Sequence, residues 1–311
     1  MRILFLTRNM KIASKTQEDL LAHHSFVTEF SKQHEVIWWG KLFKNFNENI
    51  TIPELIKKHS PDIIFKYGFK TPFEKDLEKI SIPKIIYLVD YCPPKGNYRG
   101  RTEEISSFMK KSYWDLAIIP VTSISDFVKS DAQVKETFVS PFSVDIDMFK
   151  KYDIKKDNDV CAMFVSRNDV YPNRNLVIST IKSIPRITHT IGKKSMQKYI
   201  STINRSKIFI TSNNIFRSMS MKYTECMSCG TFLLADEPDD WELFGYKRDE
   251  HFVFYKNMND LKDKIRYFLK HENEREAIAK NGMDFVRANH NHEVRVQQIA
   301  KFIKNRYGIE G

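Results

Sequence analysis

The sequence predicts an α/β protein of two units in tandem, each a mostly parallel sheet covered by helices, facing each other across a cleft. Three observations predict it. Short apolar runs alternate with amphipathic stretches along nearly the whole chain, the pattern of strands linked by crossover helices. That alternation pauses in KKYDIKKDND at 150–159, a polar stretch suited to a linker, and restarts with VCAMFVSR. The length of 311 residues suits two domains, and 41% apolar and 13% aromatic residues are enough for real cores.

The elements follow in order. RILFLTR is a short apolar run, hence a buried strand. Residues 16–31 place apolar side chains at 20, 21, 26, 27 and 30, which suits a helix lying on a sheet. HEVIWWG is the next strand. TIPELIKKHSPDIIFKYG reads as a short helix, a proline break and a strand. IPKIIYLVDYCPP is a buried strand ending at Asp90, after which Pro93 and Pro94 force irregular chain. RTEEISSFMKKSYWDLAIIP gives helix then strand, ISDFVKS a brief helix, and KETFVSPFSVDIDMF a strand and turn. Beyond the linker, VCAMFVSR is a strand, 174–183 a helix, ITHTIG a strand and 195–205 a helix. KIFITS is a strand, 219–229 a helix, and TFLLAD and HFVFY are strands. Helices fill the rest, ending in the amphipathic HEVRVQQIAKFIKNRYG. The expected boundaries are 1–152 for the first domain, 153–285 for the second, and a final helix at 286–311.

The charge is uneven. Residues 1–150 hold 22 Lys and Arg against 19 Asp and Glu, residues 151–311 hold 28 against 20, and the whole carries +11. Between Asp169 and Glu225 no acidic residue occurs, while ten basic ones do, from Arg174 to Lys222. A positive field of this kind attracts phosphorylated ligands, nucleic acid or acidic membrane. The four cysteines, at 92, 161, 226 and 229, are few and unevenly spaced, which suits a reducing compartment and a cytoplasmic protein. No apolar run approaches the length of a membrane span, and the opening run is too short for a signal-peptide core. Dinucleotide, Walker, nucleophile-elbow and zinc-protease motifs are all absent.

In open α/β sheets, ligands bind beyond the carboxyl ends of strands. That rule gathers 7–15, 90–94, 166–174, 211–218 and 236–240 near one cleft. Arg167 and Arg174 follow the first strand of the second half and suit a diphosphate, which needs charge-assisted bonds; the alternative is a pair of solvated loop arginines. Tyr171 between them is a candidate to stack on a base. Residues 218–222 are expected to form the first helical turn, where Ser218, free N–H groups, Arg217 and Lys222 would favour phosphate. Glu225 is the candidate acceptor for two ribose hydroxyls, rigid because it sits on a helix. Its alternative is a surface glutamate paired with Lys222. Asp90, ending its strand at the proposed cleft, would orient an acceptor hydroxyl or act as base, or else cap the strand. Cys226 and Cys229 have redox or zinc spacing but lack a second pair, so they read as small apolar fillers.

YISTINRSKIFITSN, KYTECMSCGTFLLADEPDD and DEHFVFYKNMNDLKDKIRYFLKHENEREAIAKNG together resemble the carboxyl-terminal domain of glycosyltransferases with the two-domain, Rossmann-like GT-B fold. The resemblance runs over about 160–311 and points to a spore-maturation-like subgroup allied to the glycosyl transferases group 1. It implies that Glu225 binds the donor ribose, that Arg174 and Arg167 face the diphosphate, that the helix beginning near Ser218 covers the phosphates with Lys222, and that Asp90 falls near the acceptor. It implies no metal, a UDP- or GDP-type sugar donor as co-substrate, and a final helix that crosses back to the first domain. Two departures stand out. Arg217 occupies the position where retaining members often carry a glutamate, and TRNMKIASK replaces the usual glycine-rich loop.

The leading expectation is a hexosyltransferase-like, nucleotide-sugar-dependent enzyme acting on a glycan or surface polymer. The alternatives are a phage-type DNA glycosyltransferase and a catalytically silent nucleotide-sugar-binding or scaffold protein. Positive patches also suit peripheral contact with an acidic membrane, and the oligomeric state stays open.

Overall fold

The computed structural model describes residues 1–15, 18, 20–68, 74–89, 91, 93, 102–164, 170–192 and 194–309. The chain divides into two compact units, Met1–Ser140 with Arg295–Gly311, and Pro141–Val294.

The first unit contains β1 (Arg2–Leu6), α1 (Met10–Ala13), α2 (Leu20–Gln33), β2 (Glu35–Trp39), α3 (Ile52–His59), β3 (Ile63–Tyr67), β4 (Lys84–Tyr87), α4 (Thr102–Ser112), β5 (Leu116–Ile119), α5 (Ser125–Ala132) and β6 (Glu136–Val139). Its strands pair in the order β2-β1-β3-β4-β5-β6, all parallel. The inner strands β1, β3, β4 and β5, buried on both faces, read as near-continuous apolar runs. The TIPE segment forms α3 for a local reason. Thr51 accepts from the Glu54 N–H while Glu54 accepts from the Thr51 N–H, a reciprocal cap, and Pro53 sits in the first turn.

The second unit contains β7 (Asn158–Ala162), α6 (Arg174–Lys182), β8 (His189–Ile191), α7 (Met196–Arg205), β9 (Ser206–Thr211), α8 (Met221–Ser228), β10 (Phe232–Asp236), β11 (Val253–Tyr255), α9 (Met258–Lys270) and α10 (Glu272–Asn289). The strand order is β11-β10-β9-β7-β8, again all parallel. Side chains alternate between the faces of the sheet. Ile208, Ile210, Phe232 and Leu234 enter one core cluster, and Phe209, Leu233 and Ala235 enter the other. Cys161, Cys226 and Cys229 are buried free thiols in the second of these, the filler role that ECMSCG suggested. Residues 141–157 pack on this unit too: Phe149 lies in its core, and its carbonyl accepts from Ser228 Oγ at 2.6 Å.

Two glycines set close approaches. Gly230, at φ 66°, ends α8, and its N–H reaches the Met227 carbonyl at 2.8 Å. Gly282 lies inside α10, where an added Cβ would sit 2.4 Å from the His251 carbonyl oxygen. The absent side chain lets α10 lie against backbone. The final helix, α11 (His292–Tyr307), sends Val296, Ile299 and Ile303 into the first unit's core beside Ile3, Phe5, Phe30 and Phe65.

Candidate functional site

Because every strand of the second unit is parallel, the carboxyl ends of β7, β9 and β10 share one edge. Arg174, Asn213, Arg217 and Asp236 lie on the chain that leaves those ends.

Arg174 opens α6, just beyond the chain that leaves β7. It is 5% exposed, and its guanidinium carbon lies 3.2 Å from the Tyr171 ring centroid and 4.8 Å from that of Phe164. A planar, weakly hydrated cation tolerates such an aromatic setting far better than an ammonium group. Burial lowers its pKa, while Tyr171 and Asp236 oppose that shift, so the side chain stays charged. One face of Tyr171 is therefore covered by Arg174. Arg167 and Asp90 lie outside the described residues.

Asp236 ends β10 and ties the edge together. Its Oδ1 accepts from the Asn213 N–H at 2.6 Å and its Oδ2 from the Asn173 amide at 3.4 Å. Its carbonyl accepts from Asn213 Nδ2, and the one Tyr223 hydroxyl proton is shared between that carbonyl at 3.1 Å and Asn213 Oδ1 at 2.8 Å. Burial raises the Asp236 carboxyl pKa; the Asn213 N–H, the Asn173 amide and the Arg217 charge oppose it. This hub joins the chain after β9 to β10, α6 and α8. Sequence reasoning placed 236–240 near a ligand without singling it out.

The segment between β9 and α8 departs from expectation. The helix starts at Met221 with Ser220 as its N-cap, rather than at 218–219. Asn214 explains the delay. Its Oδ1 accepts from the Phe216 N–H at 3.0 Å and from Ser218 Oγ at 3.2 Å, a side-chain turn that competes with helix. Arg217 follows in the left-handed region at φ 50°. Ser218 is consequently a buried loop residue that also accepts from Asn214 Nδ2 at 2.9 Å.

Arg217 binds the chain after β10. Its Nε donates to Asp239 Oδ1 at 2.6 Å and its Nη2 to the Glu237 carbonyl at 2.9 Å. It lines an open groove of about 640 Å³ with Trp241 and Arg248. Other members of the acid-free stretch are paired as well: Arg205 with Asp157 at 2.5 Å and Lys207 with Asp159 at 2.8 Å. The local positive field is smaller than the sequence alone suggests.

Glu225, on α8, is 7% exposed. Its Oε2 accepts from the Tyr199 hydroxyl at 2.6 Å. Burial raises its carboxyl pKa, with Lys222 and Tyr199 opposing. Lys222 Nζ lies 4.9 Å over the Tyr199 ring, so the cation and the carboxylate flank one tyrosine. Tyr199 escaped the sequence reading, since on its own helix it looks like one more member of the apolar stripe with Ile200 and Ile203.

Three further hydroxyls, Thr211 Oγ1 and Ser212 Oγ after β9 and Ser220 Oγ at the α8 N-cap, are buried without a partner. Such hydroxyls, like the N-terminus of a helix, suit an anionic oxygen; in α8 the Tyr223 N–H already bonds the Ser220 carbonyl at 3.1 Å. Among the described residues no group of three or more His, Cys, Asp or Glu side chains is placed to hold a metal ion. Among them, too, no helix is long and apolar enough to cross a membrane.

Residues 174–301, less than half of the chain, match a family described as glycosyl transferase-like. No curated protein matches the sequence. Solved structures are similar over almost the entire chain. Sucrose-phosphate synthase from Thermosynechococcus elongatus has a TM-score of 0.68 at 11% identity, over 99% of both chains. A glycosyltransferase from Rickettsia africae ESF-5 has a TM-score of 0.60 at 13% identity over 98% of both. HepE from Anabaena, in complex with UDP-glucose, has 0.60 at 13% identity over 98% of this chain and 100% of that one. At these identities the likeness establishes the fold: two Rossmann-like units in the GT-B arrangement.

Proposed function

We propose that this protein is a glycosyltransferase that moves a sugar from a UDP- or GDP-type donor to a hydroxyl of a glycan or surface polymer. The observation that carries the reading is the second unit's strand edge. Its unit carries a buried, aromatic-held Arg174, a buried Glu225 held by Tyr199, and buried hydroxyls without a partner at Thr211, Ser212 and Ser220, features that suit a nucleoside diphosphate. The matched segment and the GT-B fold support it.

In this reading the donor ribose is accepted by Glu225, and the diphosphate by Arg174, Arg167, Lys222, Ser218 and the α8 N-terminus. Arg217 borders the donor, and Tyr171 carries Arg174. The acceptor oxygen attacks the anomeric carbon, the bond from that carbon to the diphosphate breaks, and the hydroxyl proton passes to a base, for which Asp90 is the candidate. Cations fixed beside the leaving group act where negative charge develops. Retention of configuration is the outcome the group 1 resemblance implies, and the likeness to the spore-maturation-like subgroup rests on sequence alone. The buried free thiols fit a reducing, cytoplasmic setting.

A thermal-shift screen of nucleoside diphosphates and their sugars tests this, with Glu225→Ala as control. The wild type should be stabilised by one base class and the folded variant much less. Equal stabilisation of both would remove Glu225 from the ribose site, and no response to any nucleotide would remove the function.

A further inference from the structure

We propose that Tyr199 is a positioning residue for the nucleotide site: its hydroxyl fixes one oxygen of Glu225 and so presents the other to the paired hydroxyls of a ribose. The proposal rests on the reading of Glu225 given above and adds what makes that carboxylate selective.

Tyr199 comes from α7 and Glu225 from α8, so the contact is tertiary. The hydroxyl donates to Oε2 at 2.6 Å, a short, charge-assisted geometry. No hydrogen bond to Glu225 Oε1 occurs among the described residues, and the atom is not fully enclosed. One oxygen is thus held and the other is available. A glutamate gripped at one oxygen cannot swing to meet water or an ill-fitting ligand, and only a suitably spaced pair of donors satisfies what remains. A site built to bond hydroxyls rejects a ligand that lacks them.

The surrounding charges act in the same direction. The groups facing Glu225 are Tyr199 of α7, Lys222 and Cys226 of α8, and Cys229 at its C-cap. Both thiols are pushed up by burial and stay neutral. Burial also raises the Tyr199 hydroxyl far above its ordinary value, so it remains a donor. Lys222, over the Tyr199 ring, and the hydroxyl itself favour the ionised carboxylate that a diol requires.

The test is calorimetric binding of UDP and GDP, and of their 2′,3′-dideoxy counterparts, to the full chain and to Tyr199→Phe. The wild type should prefer the ribose form of one base. The variant should lose about tenfold in affinity for that form, the order expected for a hydrogen bond to a charged group, with the dideoxy affinity unchanged. Its ribose binding should also require higher pH, since Glu225 loses a bond that favours ionisation. Glu225→Asp draws the carboxylate back from Tyr199 and should lose the same preference; it decides the matter where Tyr199→Phe does not fold. An equal loss for both ligand forms would make Tyr199 a merely structural residue, and no loss would also overturn the proposal. A wild type that binds neither UDP nor GDP would instead overturn the reading on which it rests.

Discussion

Arg174→Met separates the needs of the fold from those of the chemistry. Arg174 is 5% exposed, and its guanidinium carbon lies 3.2 Å and 4.8 Å from the centroids of two aromatic rings. Losing those contacts costs up to about 2 kcal/mol for a desolvated pair. Replacing a whole buried ion pair by apolar side chains of similar volume returns about 1–4 kcal/mol, and removing one cation returns only part of that. Asp236 loses a favourable neighbour but keeps the Asn213 N–H, the Asn173 amide and Arg217. The two terms nearly cancel, so the variant should stay within about 2 kcal/mol of the wild type. That amounts to a Tm within a few degrees of the wild type's, at about 2–4 °C per kcal/mol for a domain of this size. Turnover should fall about 10²–10³-fold, the scale for removing a group that meets developing charge. Differential scanning calorimetry gives the first quantity, and the initial rate of nucleoside diphosphate release from the donor that stabilises the wild type gives the second. A Tm lowered by more than a few degrees with an unchanged rate would refute the reasoning and make Arg174 a structural cation.

Two other substitutions probe the units separately. Gly282→Ala should destabilise the protein by about 1–3 kcal/mol in urea unfolding, because the new Cβ would sit 2.4 Å from the His251 backbone oxygen and overpacking outweighs the gain in helix propensity; undiminished stability would show that α10 yields freely there. In the first unit, Lys66 and Glu74 form an ion pair with both side chains 1% exposed. Lys66→Met alone should cost about 3–5 kcal/mol, whereas Lys66→Met with Glu74→Leu should recover most of it, and a double-mutant cycle without coupling would contradict this account.

The sheets were legible because parallel strands are buried on both faces and leave unbroken apolar runs, as in TFLLAD and VCAMFVSR. The α3 helix was legible because TIPE carries its own cap. The start of α8 was not. Asn214 and the left-handed Arg217 favour a turn through side-chain bonding that periodicity does not register. TRNMKIASK read as standing in place of a glycine-rich loop, yet it holds α1, capped by Asn9, whose side chain accepts from the Ile12 N–H. Within the candidate site, Glu225 could be picked out as the acid that ends the acid-free stretch, and Arg174 because it follows the first strand of the second half. Tyr199 could not, because its role depends on a partner 26 residues away on another helix. Asp236 was one acid among several in ADEPDD, and only the network around its carboxylate sets it apart.

The seating of Val296, Ile299 and Ile303 among Ile3, Phe5 and Phe65 bears on how the protein is made. In synthesis the sheet is complete at Val139, and Val296 follows about 157 residues later, so the sheet waits on the order of ten seconds for the helix that covers it. Pro141–Val294 is continuous and has no such delay. The second unit can therefore mature before the first, and a transcript cut just short of α11 would yield a finished second unit attached to a sticky, chaperone-dependent first one.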